Sequence, residues 1–494
     1  MNNLIRVKKR TPVFVIASVL ACFALALTVQ AVVPPPDGGY PGFTTAVGDS
    51  ALKQLTTGIG NTAVGWRSLL NNTEGSFSTA VGAGTLLFNV GNPNTGEGSQ
   101  NTAVGTAAML FNTTGSANTA VGTTALFNNT AGSVNTAVGA AALQNNTSGS
   151  FNTATGEEAL FTNTGGTFNT ANGWRALLNN ELGGGNTAIG SGAMSHNVGG
   201  GQNTAVGMNA LSANIDSNGN TAIGAQALLS TTTDDNTACG HQALMNNSSG
   251  PQNTAIGNQA LMSNTNGIGN TATGNAALID NTTGNGNTAI GNNALPNNTT
   301  GSSNIAVGTG AGSSINTANN VICIGANVAG LEASDTCFIG NIFGSAVANG
   351  SQVIIGSNNR LGTVVSSRRF KEDIRPMAEA SEAILALEPV AFRYKKEIDS
   401  TSTLQFGLVA EDVEKVNPAL IVRDKDGKAY SVRYDQVNAM LLNEFQKEHR
   451  KNEAQEATIA RLEQQLKTII ATLQKVSAQL ELNDSTPRTV LNNH

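Results

Sequence analysis

Residues 118–134 read Asn118-Thr119-Ala120-Val121-Gly122-Thr123-Thr124-Ala125-Leu126-Phe127-Asn128-Asn129-Thr130-Ala131-Gly132-Ser133-Val134, and close variants of this stretch return along most of the chain. The glycine that closes each Asn-Thr-Ala-Val-Gly element recurs from Gly48 to Gly308 at intervals of 17 residues, with one interval of 23 and one of 16. A fixed period of this length marks stacked units that bury one another's faces. The longer interval, around Gly91-Asn92-Pro93, must bulge out as a loop.

Within one unit, Thr119-Ala120-Val121 is a short β-branched segment with Thr and Val on one side and Ala on the other. Gly122 allows the chain to turn. Ala125-Leu126 reads as a second short strand, and Asn129 to Gly132 as a second turn. The expected coil is that of a β-roll or β-solenoid, with a row of Val/Ile facing a row of Leu across a thin interior. A helical alternative, over Gly105 to Phe111 for example, is limited to one turn by the glycines and Asn-Thr pairs. About 16 coils at ~4.8 Å each give a shaft roughly 75–80 Å long.

Composition agrees with a thin architecture. Of 494 residues 56 are Gly, only 4% are aromatic and 12% charged, too little bulk for a thick core. A net charge of -6 with recurring Val, Ile and Thr argues against disorder, and the mild acidity against a nucleic-acid partner. His196, His241, His449 and His494 are scattered without metal-ligand spacing, so no metal or other cofactor is expected. Cys323 and Cys337 either pair or sit as small buried side chains in strands.

The repeated alanine face would let identical chains pack closely around an axis, which favours a homotrimer. From about Thr44 to Gly312 the pattern resembles the head of the YadA-like trimeric autotransporter adhesins, whose repeats carry Asn-[Ser/Thr]-x-Ala-[Ile/Val]-Gly. That resemblance implies a trimeric β-roll. The chain departs from it in its 17-residue unit and in having no membrane barrel after the repeat. Strand-glycine elements at Val321 to Gly325, Cys337 to Gly340 and Val353 to Gly356 read as a neck or cap.

At the other end, Arg6, Lys8, Lys9 and Arg10 precede an apolar run from Thr11 to Val29, and Ala31 offers a small residue for cleavage. This reads as a signal peptide, with an uncleaved anchor as the alternative and a lipoprotein site at Cys22 a weaker one; no other membrane association is expected. Pro34-Pro35-Pro36 then begins a linker.

After Gly362 glycine nearly vanishes and charge becomes dense. A helix-like stretch (Met377 to Leu387), a strand (Val390 to Tyr394), a short helix ending before Pro418 and a hairpin (Leu420 to Val432) lead into a helical pattern from Tyr434. Ser366-Ser367-Arg368-Arg369-Phe370-Lys371, Leu387-Glu388-Pro389-Val390, Gly407 to Val413 and Ser431-Val432-Arg433-Tyr434 together resemble the endosialidase-type intramolecular chaperone and auto-processing domain, over about Ser366 to Leu480. The resemblance implies that the domain directs trimerisation of the upstream fibre and cuts itself off. Ser366 would be the nucleophile attacking the Val365 carbonyl, and Lys371 its base. Ser367 stands where the family often has Asp. Ile459, Leu462, Leu466, Ile469, Leu473, Val476 and Leu480 follow the 3-4 spacing of a coiled-coil seam, with Leu mostly at a and Ile or Val at d, a pattern that favours three or four strands.

The organisation expected is therefore a signal peptide (1–31), linker (32–43), β-roll head repeats (44–312), neck strands (313–363), a small α+β chaperone domain (364–436), a C-terminal helix and trimeric coiled coil (437–482) and a disordered tail (483–494). The function expected is an exported, cell-surface or extracellular homotrimeric fibre, adhesin-like, that autocleaves before Ser366. A host-surface, matrix or glycan ligand fits that reading. The alternatives are a passive spacer and a glycan depolymerase, although the repeat offers no recurring pair of acidic residues for hydrolysis. The only enzymatic activity expected is a single-turnover serine-lysine autoproteolysis.

Overall fold

The computed structural model describes residues 42–345, 351–356, 360–424 and 426–484. The expected signal peptide and the tail beyond residue 484 lie outside them. The chain divides into two compact units between Ser345 and Ala346.

The first unit is a β-solenoid. Eighteen three-residue strands, from Thr45–Val47 to Cys337–Ile339, form one parallel sheet with one strand per coil. Register is uniform: Thr102, Ala103 and Val104 pair with Thr119, Ala120 and Val121, and these with Thr136, Ala137 and Val138. The 23-residue coil keeps it, Thr79 pairing with Thr102, because its extra residues form a loop closed by an Asn92–Glu97 bridge. Two rungs, Ile322–Ile324 and Cys337–Ile339, continue the ladder past the boundary expected at residue 312. Val353–Ile355 belongs to a separate antiparallel hairpin with Leu361–Thr363.

The interior differs from the expectation. A three-residue strand sends only its middle side chain inward. Ala103, Ala120 and Ala137 are completely buried, while Val104, Val121 and Val138 point outward. Opposite the alanines stand Ala125 and Leu126 and their equivalents, also fully buried. The coil is too narrow to set a valine against a leucine, so alanine fills that place. The alanine row is thus spent inside its own chain and is not an inter-chain face. Ala125-Leu126 is not a second strand either: Thr124 and Leu126 adopt φ of 55° and 50°, and the segment is a tight turn. Left-handed backbone at non-glycine residues costs about 1–2 kcal/mol each. Hydrogen bonds to the next coil offset it, such as Leu126 N–H to Ala142 O at 2.9 Å and Asn128 N–H to Gln144 O at 2.8 Å. Gly122 is required more strictly, since at φ 136° a Cβ would lie 2.5 Å from the Gly139 carbonyl oxygen.

Two buried asparagine ladders hold the coils in register. Asn129 Nδ2 donates to Asn112 Oδ1 and Asn146 Nδ2 to Asn129 Oδ1, both at 2.7 Å, and Asn129 Nδ2 also reaches Gly132 O at 2.8 Å. In the second ladder Asn118 Oδ1 accepts from the Asn135 backbone N–H at 2.9 Å. A buried amide without partners would cost about 1–3 kcal/mol; here Asn129 and Asn118 are each used by the coil before and the coil after.

A third device ends the solenoid. In each typical coil three successive N–H groups converge on one carbonyl of the next: Thr130, Ala131 and Gly132 donate to Thr147 O at 3.1, 2.9 and 3.3 Å. In the last full coil that carbonyl is replaced by the Glu332 carboxylate, which accepts from the N–H groups of Asn316, Thr317 and Ala318 at 2.6, 2.7 and 2.8 Å. Burial pushes this carboxyl's pKa up, but hydrogen bonds from the Thr317 hydroxyl and the three N–H groups outweigh it and hold the pKa below the ordinary glutamate value.

The second unit is small and α+β. A 3-10 helix (Ala378–Ala386), a strand pair (Val390–Phe392 with Gln405–Gly407), helix α1 (Ala410–Val416) and a hairpin (Ile421–Arg423 with Ala429–Val432) precede helix α2 (Tyr434–Asp484). Val413, Leu420, Ile421, Val432 and Met440 form its compact core. Of the three described cysteines none is paired. Cys323 is buried and Cys337 exposed, as alternation along neighbouring strands dictates, so they do not bond to each other.

Candidate functional site

The site expected from the sequence lies where the hairpin strand Leu361–Thr363 gives way to one 3-10 turn, Arg368–Phe370. Ser367 before the turn and Lys371 after it are both extended, with ψ of 141° and 138°. The turn is closed by Phe370 N–H to Ser367 O at 3.0 Å and Lys371 N–H to Arg368 O at 3.1 Å. It folds the chain back on itself, so that residues five apart meet: Lys371 Nζ donates to Ser366 Oγ at 3.1 Å. Arg369 lies over the Phe370 ring at 4.6 Å. Ser366, Lys371 and Val365 are all exposed in the single chain. A lysine that activates a serine must accept the hydroxyl proton, which reverses the direction of this hydrogen bond. The geometry brings the two groups together; the single chain does not desolvate them.

A buried latch ties the rest of the unit to α2, and sequence reasoning missed it. Ser381, on the 3-10 helix, has no exposed surface. Its hydroxyl donates to Glu444, Asn443 Nδ2 donates to it at 2.6 Å, and Lys447 bridges Glu444 and Glu382 at 2.8 and 3.1 Å. The hydrogen bond from Lys447, then that from Ser381, holds the Glu444 carboxyl below its ordinary value. The backbone N–H of Leu408 also donates to Tyr434 Oη at 3.1 Å, fixing the start of α2. Only Ser381, amid Ala and Glu on a short apolar helix, hinted at this in the sequence.

Past the latch residues Asn443, Glu444 and Lys447, the seam of helix α2 lies open. Ile459, Leu462, Leu466, Ile469, Leu473, Val476 and Leu480 are 46–64% exposed. Among the described residues, no helix is long and apolar enough to cross a membrane.

A repetitive parallel solenoid is followed along the chain by a small module opened by a serine-lysine pair and by a long helix with an uncovered apolar seam. The comparison with protein families gives that module its name: residues 366–422 match the family described as chaperone of endosialidase. The chain thus carries an endosialidase-chaperone domain after a long β-solenoid, which implies a trimeric fibre-like protein with an autocleaving C-terminal chaperone. No curated protein and no solved structure matches the chain, and the adhesin-head likeness of the repeat rests on its sequence alone.

Proposed function

We propose that this chain is an exported surface fibre whose C-terminal domain assembles three copies and then severs itself before Ser366. The observation that carries the reading is the 3.1 Å approach of Lys371 Nζ to Ser366 Oγ at the first residue of the family match. In the proposed reaction Lys371 accepts the Ser366 hydroxyl proton as Oγ attacks the Val365 carbonyl carbon. The amide C–N bond breaks, the freed Ser366 amine takes up a proton, and an ester joins Val365 to Ser366 Oγ. Water then hydrolyses the ester, leaving a carboxylate on Val365 and restoring the serine hydroxyl. Assembly through the α2 seam would supply the desolvation that the isolated chain lacks.

An adhesive role for the shaft is supported by the outward groove where Phe88 stacks on Phe111 at 5.3 Å, flanked by Thr113, Asn128 and Thr130. Flat rings beside a polar ladder suit a glycan or a matrix surface. Intact-mass analysis of wild type beside Ser366→Ala tests the processing reaction. The expected result is a cut between Val365 and Ser366 in the wild type alone. An uncut wild type in an assembled trimer overturns the protease role and leaves the chaperone role.

A further inference from the structure

The outer face of the solenoid sheet raises a question that the interior does not. Every strand presents its first and third residues outward, and uniform register stacks them into two straight columns along the shaft. Neither column holds a charged residue in any of the eighteen strands from Thr45–Val47 to Cys337–Ile339. The third-position column is largely Val and Ile, and Val104, Val121, Ile223, Ile256 and Ile290 are 37–44% exposed. Towards the C-terminal end the first-position column turns apolar as well, with Ile305 and Ile322 replacing threonine. At ~4.8 Å per rung the strip is roughly 80 Å long. At about 10 Å width it offers on the order of 800 Å² per chain, the size of a standard interface.

We infer that this Val/Ile column is the surface on which the three shafts meet, the occupant being two further copies of the same chain, parallel and in register. The inference rests on the trimer proposed above and deepens it by naming the face. Three lines of reasoning select the occupant. The endosialidase-chaperone domain implies a trimeric fibre. Cyclic symmetry sets each residue against its own equivalents, and a column with one residue per rung is what a threefold axis parallel to the shaft requires. An uncharged, flat β face of this length is otherwise an aggregation hazard, which closed assembly removes. A competing column, Phe77, Val134, Phe151 and Phe168, is apolar only in the first half of the shaft and is interrupted by Gly60, Gln100 and, further on, by Asp235.

The chain contains its own reporter. Cys239 occupies the Val/Ile column, paired in register with Ile223 and Ile256, and is exposed and free. In the proposed trimer three Cys239 thiols surround one axis, close enough for two of them to be joined. The test is copper-phenanthroline oxidation of the purified full chain, read on non-reducing denaturing gels, with sedimentation equilibrium alongside. The expected product is a covalent dimer that disappears in Cys239→Ser and persists in Cys337→Ser. Val138→Cys in a Cys239→Ser background restores it, whereas Ser148→Cys, ten residues further round the same coil, does not. A sedimenting trimer without the Cys239-dependent dimer, or one cross-linked equally well through Ser148→Cys, overturns this face while leaving the trimer intact. A sedimenting monomer overturns the face and the trimer together.

Discussion

The two units of this chain handle their apolar side chains in opposite ways. Along the solenoid Leu126, Leu143, Leu160 and their equivalents are fully buried within a single chain, and the asparagines around them are all but completely hydrogen-bonded. In the C-terminal unit the seam leucines and isoleucines of α2 lie open, as do Phe406 and Phe445. The solenoid satisfies itself coil by coil, whereas α2 can bury its seam only against other helices. Stability in the shaft is therefore local, and stability at the C-terminus belongs to the assembly.

The sharpest way to break the contrast is the double substitution Leu466→Asp and Ile469→Asp. Sedimenting mass should fall to roughly one third, cleavage before Ser366 should cease, and the far-ultraviolet circular dichroism of the shaft should persist. Next in size, Gly122→Val places a side chain against the Gly139 carbonyl at a backbone angle valine resists. Limited proteolysis should find a break confined to that coil and its neighbours, with a local cost of about 3 kcal/mol or more. Asn129→Ala removes buried hydrogen bonds to two coils and should cost about 2–4 kcal/mol by denaturant unfolding.

Glu332→Gln weakens the end cap, and its solvent exposure keeps the expected loss near about 1 kcal/mol. The sign of its pH dependence follows from a folded pKa lower than the unfolded one. The contribution is complete above the ordinary glutamate value and is lost as pH falls through the lowered folded value. Thermal melts of wild type and Glu332→Gln should therefore differ at neutral pH and converge in acid. Smallest of all, Asp412→Asn breaks an exposed, solvent-screened ion pair with Lys415 and should leave the unfolding midpoint unchanged within error.

The period, the strand at Thr-Ala-Val, the glycine turn and the order of elements after residue 366 were legible because each rests on a local rule of spacing or turn chemistry. The direction of the strand's side chains was not. Alternation says that Thr119 and Val121 share a face opposite Ala120, but only the coil's cross-section decides which face is inside. Bulk points to valine as the buried residue, but the narrow coil favours alanine. Asparagine suits turns, yet Asn118 and Asn129 recur at strict intervals because their side chains bond to equivalents one coil away. The Ser366–Lys371 pairing was visible through neighbouring motifs, since a separation of five residues says nothing about approach until a 3-10 turn is known to lie between them. Glu332 gives no periodic signal, because its carboxylate takes the place of a repeated backbone carbonyl in a single coil.

The looped coil has a consequence for how such a shaft changes in evolution or in design. Six extra residues were accommodated with the ladder on either side undisturbed. If a coil tolerates enlargement without telling its neighbours, whole coils should be equally removable. Excising one 17-residue unit, such as residues 118–134, ought to shorten the fibre by a single step of ~4.8 Å while both extremities stay as they were. Reach then becomes a number of copies, adjustable in whole steps by recombination between near-identical segments.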